Sequence, residues 1–155
     1  MAIIPEVEKL RSLAQLDVDA AGAYEAAIAR VKEPLVRERL NDFRVDHVRH
    51  VQDLNALIQA RGGAPVELRP DLKGAAMKGF TAISSMVGTE AALLAMLGNE
   101  ELANRVYEAA LSFDWSPEVR QLIQKNRQDE ERHLTWIKDA ARLRPWADDE
   151  AAAQV

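Results

Sequence analysis

The sequence predicts an all-α fold. It is an antiparallel four-helix bundle built from two repeated helix pairs, with a long crossover that contains a short extra helix. Three observations predict it: glycine and proline cluster in a few short breaks, the segments between them are rich in helix-forming Ala, Leu, Glu and Arg, and the second half of the chain repeats the first. The breaks lie at 32–34, 61–70, 112–117 and 143–146.

These breaks delimit the helices in order. The first two long helices are predicted at 6–31 and 35–61, the third at 89–112 and the fourth at 117–143. In each of them, inward-facing residues recur with alternating steps of three and four, which is the spacing of a bundle core. The predicted inward residues are Leu10, Leu13, Asp17, Ala20, Tyr24, Ala27 and Val31 in the first helix, Leu40, Phe43, His47, His50, Leu54 and Leu57 in the second, Leu93, Leu97, Glu100, Ala103, Tyr107 and Ala110 in the third, and Val119, Ile123, Asn126, Glu130, His133, Ile137 and Ala140 in the fourth. A shorter helix is predicted at 72–87, within the crossover.

Capping signals and tail composition complete the outline of the chain. Ser116 is a typical N-cap residue, with Pro117 at the first helical position, and Thr89 is the predicted cap of the third helix. Residues 1–147 are predicted to form a single domain. The acidic, Ala-rich residues 148–155 are predicted to be a flexible tail.

Composition excludes several classes of function. The net charge of −5 argues against nucleic acid as a partner, because no basic surplus would neutralise phosphates. The absence of cysteine excludes disulfides and thiolate metal sites. The most apolar region, 74–97, is interrupted by Lys78 and Glu90 and falls short of a membrane span, and the N-terminus does not resemble a signal peptide. We therefore expect a cytoplasmic protein without a membrane partner.

The internal repeat has an offset of 83 residues and needs no gap. The stretch YEAAI at Tyr24–Ile28 returns as YEAAL at Tyr107–Leu111, and 12 identities occur over the 34 positions from Asp17 to His50. The first and second helices thus correspond to the third and fourth. This correspondence predicts two related helix pairs packed about a pseudo-twofold axis.

Each inward stripe is interrupted near its middle by ionisable residues. Because residues three apart share a helix face, the pairs in the second and fourth helices point the same way. Burying one unpaired ion costs several kcal/mol, so these groups either hydrogen-bond to one another or hold a metal. Carboxylates combined with imidazoles suit Fe, Mn or Zn. The interrupting residues are Asp17, His47, His50, Glu100, Glu130 and His133.

Several polar residues beside this set are assigned structural roles. Asp46, Asp129, Arg49 and Arg132 fall just off the inward faces and are predicted to form surface ion pairs. Asn126 lies on the inward stripe and is either a hydrogen-bond partner or a plain core substitution.

The pattern resembles the ferritin-like superfamily, in which two helices each give one Glu and the other two each give Glu-x-x-His around two irons. DEERHLTWI (Asp129–Ile137) looks like the fourth helix of bacterioferritins and rubrerythrins, and LDVDAAGAY (Leu16–Tyr24) resembles their first. The stretch GNEELANRVYEAAL (Gly98–Leu111) is similar to an uncharacterised bacterial branch of these proteins.

The resemblance implies a ferritin-like bundle with a metal site, most simply two irons, with Zn or Mn as alternatives. It implies Tyr24 and Tyr107 as the candidate catalytic-site residues outside the ligand set, orienting the ligands. The ligands it implies are Asp17, His50, Glu100, Glu130 and His133, and His47 stands at the remaining ligand position.

This sequence departs from the family pattern at several positions. His47 replaces the Glu that bridges the metals, so three carboxylates face the four positive charges of two divalent irons. A single metal or an unequal pair is therefore an alternative. Asp17 is shorter than the usual Glu, which leaves Asp19 and Asp46 as further candidates. The haem-ligating Met of bacterioferritin would fall at Val48, which predicts no haem.

The implied activity is ferroxidase or oxidase chemistry toward oxygen or peroxide, in oxidative or metal stress. Two alternatives remain open: a bundle that binds Zn or Mn without redox turnover, and a structural or interaction bundle with a metal-free polar core. Only the first of these three hypotheses makes the chain an enzyme, a ferroxidase or oxidoreductase. The apolar segment at 77–87 predicts a homodimer.

Overall fold

A computed structural model of the chain describes residues 5–68 and 88–144, which form four α-helices and contain no strand. This result confirms the predicted all-α four-helix bundle, and every helix end lies within three residues of its predicted position. The predicted short helix at 72–87, the apolar segment at 77–87 and the tail at 148–155 lie outside the described residues. The helices are α1 Pro5–Ile28, α2 Pro34–Ala60, α3 Thr89–Ala110 and α4 Pro117–Leu143.

Two helices begin at repeat-related prolines. Pro34 and Pro117 each occupy the first turn, where the missing N–H removes no helical hydrogen bond. Ser116 occupies the N-cap position of α4 as predicted, but its hydroxyl does not cap the helix. It instead accepts a hydrogen bond from the Arg61 guanidinium at 3.2 Å, which links the end of α2 to the start of α4.

The start of α3 differs from the prediction. The N-cap residue is Gly88, whose φ of 94° is accessible at little cost only to glycine, and Thr89 is the first helical residue rather than the cap. The Thr89 hydroxyl donates to the carboxylate of Glu33. The threonine that resembles a cap in sequence therefore ties α3 to the segment before α2.

Contacts between the helices establish their directions. Tyr24 of α1 meets Glu100 of α3, and Tyr107 of α3 meets Asp17 of α1, so these two helices run antiparallel. The contacts between α2 and α4 show the same reversed order. The ion pairs of Glu6 with Arg61 and of Glu25 with Arg44 show that α1 is also antiparallel to α2, so α2 and α3 run in the same direction. The end of α2 and the start of α3 therefore lie at opposite ends of the bundle, roughly 40 Å apart for a helix of this length, which explains the long crossover.

The core consists of two apolar clusters, one on each side of a polar layer. One cluster includes Leu10, Leu54 and Ile123, and the other includes Leu40, Leu93 and Ile137. Between them lie the six ionisable residues of the inward stripes, each with 0% of its surface exposed. Within the described part of the chain, no helix combines the length and apolarity needed to cross a membrane.

The predicted stripes match the buried faces closely. The seven residues predicted for α4 are its seven buried residues, and all the predicted inward residues of α1 and α2 are buried. In α3, Met96 is buried although it was not predicted to be, whereas the predicted Leu97 and Ala110 are only partly buried. The neighbouring Leu94 is 54% exposed, so the apolar run in this helix is wider than the face that packs.

Candidate metal centre

The six ionisable residues predicted from the stripes meet in one layer of the core. They form two overlapping groups, and within each group one ligand atom per residue lies within 4.8 Å of all the others. Both groups contain His47 and Glu130. The Asp17 group consists of Asp17, His47, His50 and Glu130, and the Glu100 group consists of His47, Glu100, Glu130 and His133.

The helices bring these side chains together through the three-residue spacing in α2 and α4. His47 and His50 lie on one face of α2, and Glu130 and His133 on the corresponding face of α4, so the four side chains converge between the helices. Asp17 of α1 enters this layer and lies 3.0 Å from the Nδ1 atom of His50. The alternative acid of α1, Asp19, is outside both groups and accepts a hydrogen bond from Gln15 at 2.9 Å.

The two tyrosines connect the repeats in a reciprocal way. The hydroxyl of Tyr107, in the second repeat, donates to Oδ2 of Asp17 in the first at 2.5 Å. The hydroxyl of Tyr24, in the first repeat, donates to Oε1 of Glu100 in the second. Each tyrosine is fully buried, and its hydroxyl holds one carboxylate of the layer.

Two aspartates that were predicted to lie in surface ion pairs contact the buried histidines directly. The Nε2 atom of His50 lies 2.9 Å from Asp129, and the Nε2 atom of His133 lies 2.8 Å from Asp46. These contacts leave the Nδ1 atom of each ring facing the carboxylates inside the bundle. The assignment of Asp46 and Asp129 to the surface is therefore incomplete, since their side chains are only 16% and 18% exposed.

The ion pairs themselves are present. Arg49 binds Asp129, and Arg132 binds Asp46 at 2.6 Å. Each arginine thus neutralises an aspartate of the opposite repeat, and that aspartate contacts a histidine in the arginine's own repeat. The sequence contained a signal for this role. Both aspartates and both arginines are identical at the repeat offset, unlike most exposed positions.

His47 occupies the middle of the layer. Its Nδ1 atom lies 2.7 Å from Oδ1 of Asp17 and 3.5 Å from Oε1 of Glu130. Its Nε2 atom, on the opposite side of the ring, lies 3.2 Å from Oε1 of Glu100. The single imidazole thus faces the Asp17 group with one nitrogen and the Glu100 group with the other.

The repeats differ one helical turn before the ligand pairs. In α2, Phe43 stacks on the ring of His133 with 4.3 Å between the ring centroids. In α4, the corresponding residue is Asn126, whose amide donates to the hydroxyl of Tyr107 at 3.3 Å. Of the two alternatives for Asn126, the hydrogen-bond partner is the one that the geometry supports.

Several buried polar atoms of the layer have no hydrogen-bond partner. They include both carboxylate oxygens of Glu130, Oε2 of Glu100 and Nδ1 of His133. Buried polar atoms in native proteins are nearly always satisfied, so a concentration of unsatisfied atoms in one place needs an explanation. All four are electron-pair donor atoms of the kinds that Fe, Mn or Zn binds, and the residues present therefore fit a bound metal.

Two histidines of the layer have raised pKa values. Burial alone would lower the pKa of His50, but hydrogen bonds to Asp129 and Asp17 outweigh it and raise the pKa to about 10. For His133, burial is likewise outweighed by the hydrogen bond to Asp46 and by the nearby carboxylate of Glu100, and its pKa rises to about 9. These histidines are therefore protonated at neutral pH, and a metal that binds them has to displace protons.

The carboxylates divide into two kinds. Burial would raise the pKa of Glu100, but the neighbouring imidazoles of His133 and His47 prevail and lower it. In Glu130, burial prevails and raises the pKa above the ordinary value. Glu130 is thus the carboxylate whose charged form its neighbours stabilise least.

Fold and site together define a class: an all-α four-helix bundle whose core contains a carboxylate–histidine cluster that could hold a metal ion. The chain belongs to the family described as Domain of unknown function (DUF2383), whose family model matches residues 5–113. This range includes Asp17, His47, His50 and Glu100, whereas α4 with its ligand pair follows it. A comparison with curated proteins finds no match.

Proposed function

We propose that this protein is a ferritin-like, metal-binding bundle that binds two ferrous ions and promotes their oxidation by oxygen or peroxide in oxidative or metal stress. The observation that carries the proposal is the pair of overlapping ligand groups, which share His47 and Glu130 and leave four buried donor atoms without partners. A layer made only for helix register would satisfy these atoms internally, because each unsatisfied buried group costs about 1–3 kcal/mol.

The proposed reaction takes ferrous iron as substrate. Two ferrous ions give one electron each to an oxygen molecule, which takes up two protons and leaves as hydrogen peroxide. With peroxide as the oxidant, the same two electrons and two protons yield two water molecules. The chain supplies carboxylate and imidazole ligands, holds Asp17 and Glu100 through the two tyrosines, and surrounds the layer with apolar clusters that exclude bulk water.

Metal content and oxygen uptake test this proposal directly. Untagged protein, purified without chelator and reconstituted with ferrous iron under nitrogen, is expected to contain two irons per chain. On mixing with aerobic buffer it is expected to consume oxygen faster than the same amount of free ferrous iron. Protein that binds no iron, or that leaves the rate of oxygen uptake unchanged, would contradict the proposal.

Variants locate the activity within the layer. His50→Ala and His133→Ala each remove one imidazole from one ligand group and are expected to reduce iron content and oxygen uptake. Asp42→Asn serves as the matched control, because Asp42 is an exposed carboxylate on the same helix as His50. Equal loss in the control would show that the effect is not specific to the layer.

A second candidate function is supported by one observation. His47 stands where the ferritin-like pattern has a bridging Glu, and both of its ring nitrogens face carboxylates of the layer. A nitrogen ligand suits zinc as well as iron, which favours a Zn or Mn site without redox turnover. Zinc or manganese that copurifies with the chain, together with no acceleration of oxygen uptake by added ferrous iron, would establish this function instead.

A third candidate is a structural or interaction bundle with a metal-free polar core. In that case the wild type, His50→Ala and His133→Ala would all contain no metal, even after reconstitution. We also propose a homodimer as the assembly, which sedimentation of the purified full chain tests.

A further inference from the structure

The position of His47 differs in kind from that of the other two histidines. His50 and His133 each use Nε2 to contact an aspartate at the edge of the layer and present only Nδ1 to the ligand groups. The ring of His47 has no such edge contact. Its Nδ1 and Nε2 atoms face carboxylates that belong to different ligand groups, Asp17 at 2.7 Å and Glu100 at 3.2 Å.

Glu130 is divided between the groups in a similar way. Its Oε1 atom lies 3.4 Å from Nδ1 of His50, and its Oε2 atom lies 3.7 Å from Nδ1 of His133. Each ligand group therefore contains one carboxylate and one histidine of its own, together with one atom from each of the two shared side chains. Four ligands of this kind are what a tetrahedral zinc ion requires.

Charge provides an independent argument. The layer contains three carboxylates, because Asp46 and Asp129 are already paired with Arg132 and Arg49. Two divalent metals bring four positive charges, which three carboxylates leave one short of neutral. An uncompensated charge in a fully buried layer is unfavourable, so a fourth negative ligand is needed.

Since the proposed function supplies the two metals, this inference rests on it: we propose that His47 bridges the two metal ions as an imidazolate, with Nδ1 bound to the metal of the Asp17 group and Nε2 bound to the metal of the Glu100 group. An imidazolate carries one negative charge and brings the layer to neutrality. The bridge is thus formed by the residue whose side chain contacts both groups through nitrogen.

The proton balance of this step is simple. In the metal-free layer both ring nitrogens of His47 are within hydrogen-bonding distance of a carboxylate. When two metals bind, two N–H bonds break and two metal–nitrogen bonds form, and both protons leave to solvent. No oxidant or reductant takes part, so the bridge forms equally with zinc.

The bridge predicts a metal–metal distance. With metal–nitrogen bonds of about 2 Å on opposite sides of a five-membered ring, the two ions would lie about 6 Å apart. Metals joined by a carboxylate, hydroxide or oxide bridge lie closer, at about 3.5–4 Å. The difference is large enough for a crystal structure to decide.

The experiment uses the full chain loaded with Zn²⁺ alone. Elemental analysis gives the number of zinc ions per chain, and a crystal structure with diffraction recorded at the zinc absorption edge gives their positions. Two zinc ions about 6 Å apart, with the His47 ring between them, are expected. The matched variant His47→Glu, which makes the α2 ligand pair equivalent to that of α4, is expected to keep two zinc ions and to bring them within about 4 Å of each other.

The outcomes separate this inference from the proposed function. Two zinc ions within 4 Å in the wild type, or one zinc ion bound through a single nitrogen of His47, would overturn the imidazolate bridge and leave metal binding intact. A wild-type protein that binds no zinc or iron would overturn the proposed function itself. Equal metal–metal distances in the wild type and in His47→Glu would also overturn the bridge.

Discussion

The contact between Asp129 and His50 makes a graded prediction possible. Asp129 accepts a hydrogen bond from Nε2 of His50 at 2.9 Å and is itself held by Arg49 and Arg132. Asp129→Asn retains an oxygen acceptor but removes the charge, whereas Asp129→Ala removes both. Loss of a group that orients a metal ligand typically reduces affinity 10–100-fold.

We therefore expect the affinity of one zinc-binding step to fall about 10-fold in Asp129→Asn and about 100-fold in Asp129→Ala, or about 1.4 and 2.7 kcal/mol. Because Asp46 makes the repeat-related contact with His133, Asp46→Asn is expected to weaken the other step by a similar factor. Isothermal titration calorimetry against a competing chelator measures both steps. Circular dichroism verifies that each variant remains helical.

Asp42→Asn provides the control, since it removes a carboxylate from the exposed face of α2. If Asp129→Ala and Asp42→Asn bind zinc with the same two affinities, the contact with His50 has no role in metal binding. The reasoning from ring orientation to ligand strength would then be refuted.

Three further predictions concern pH, zinc and glycine. His50 and His133 have raised pKa values of about 10 and about 9, so they must lose protons when they bind a metal. The affinity for zinc should therefore rise with pH between 6 and 8. An affinity that does not change with pH, measured by competition with a chelator, would contradict this. Each zinc site held at 100 times its dissociation constant should add about 2.7 kcal/mol to the free energy of unfolding, measured by denaturant titration. The gain should vanish in the double variant His50→Ala/His133→Ala, and a gain that persists there would contradict binding in the layer. A Cβ at Gly63 would lie 2.6 Å from Cγ1 of Val7, so Gly63→Ala should lower the free energy of unfolding by about 1–3 kcal/mol. Gly98 lies in a helix with open space around it, so Gly98→Ala should raise the free energy of unfolding by about 0.5–1 kcal/mol. Equal effects of the two substitutions would refute the steric argument.

Sequence periodicity was sufficient for the fold and for the inner layer. Strong amphipathic spacing and the helix-breaking prolines placed all four helices, and the same spacing marked Glu130 and His133 as inward-facing. The predicted N-cap at Thr89 was wrong, because Gly88, one residue earlier, adopts a positive φ and is the N-cap residue of α3. Capping depends on a local conformation that residue preference alone does not specify.

The outer contacts of the site could not be read from one helix at a time. Asp46 and Asp129 lie off the inward stripe of their own helices, yet they reach a histidine on the opposite helix because α2 and α4 pack face to face. Helical periodicity reports which way a residue points and carries no information about the neighbour it meets. The repeat was the better guide, since it preserved both aspartates.

The reciprocal pairing of Tyr24 with Glu100 and of Tyr107 with Asp17 has a consequence for how such a site can diversify. Two separate copies of a single helix pair would form the same contacts, but their symmetry would place identical residues at both central positions. Joining the pairs in one polypeptide removes that constraint and allows His47 to face Glu130. In a single chain each half can be substituted independently, so the centre can become asymmetric while the surrounding helix pairs keep their symmetry.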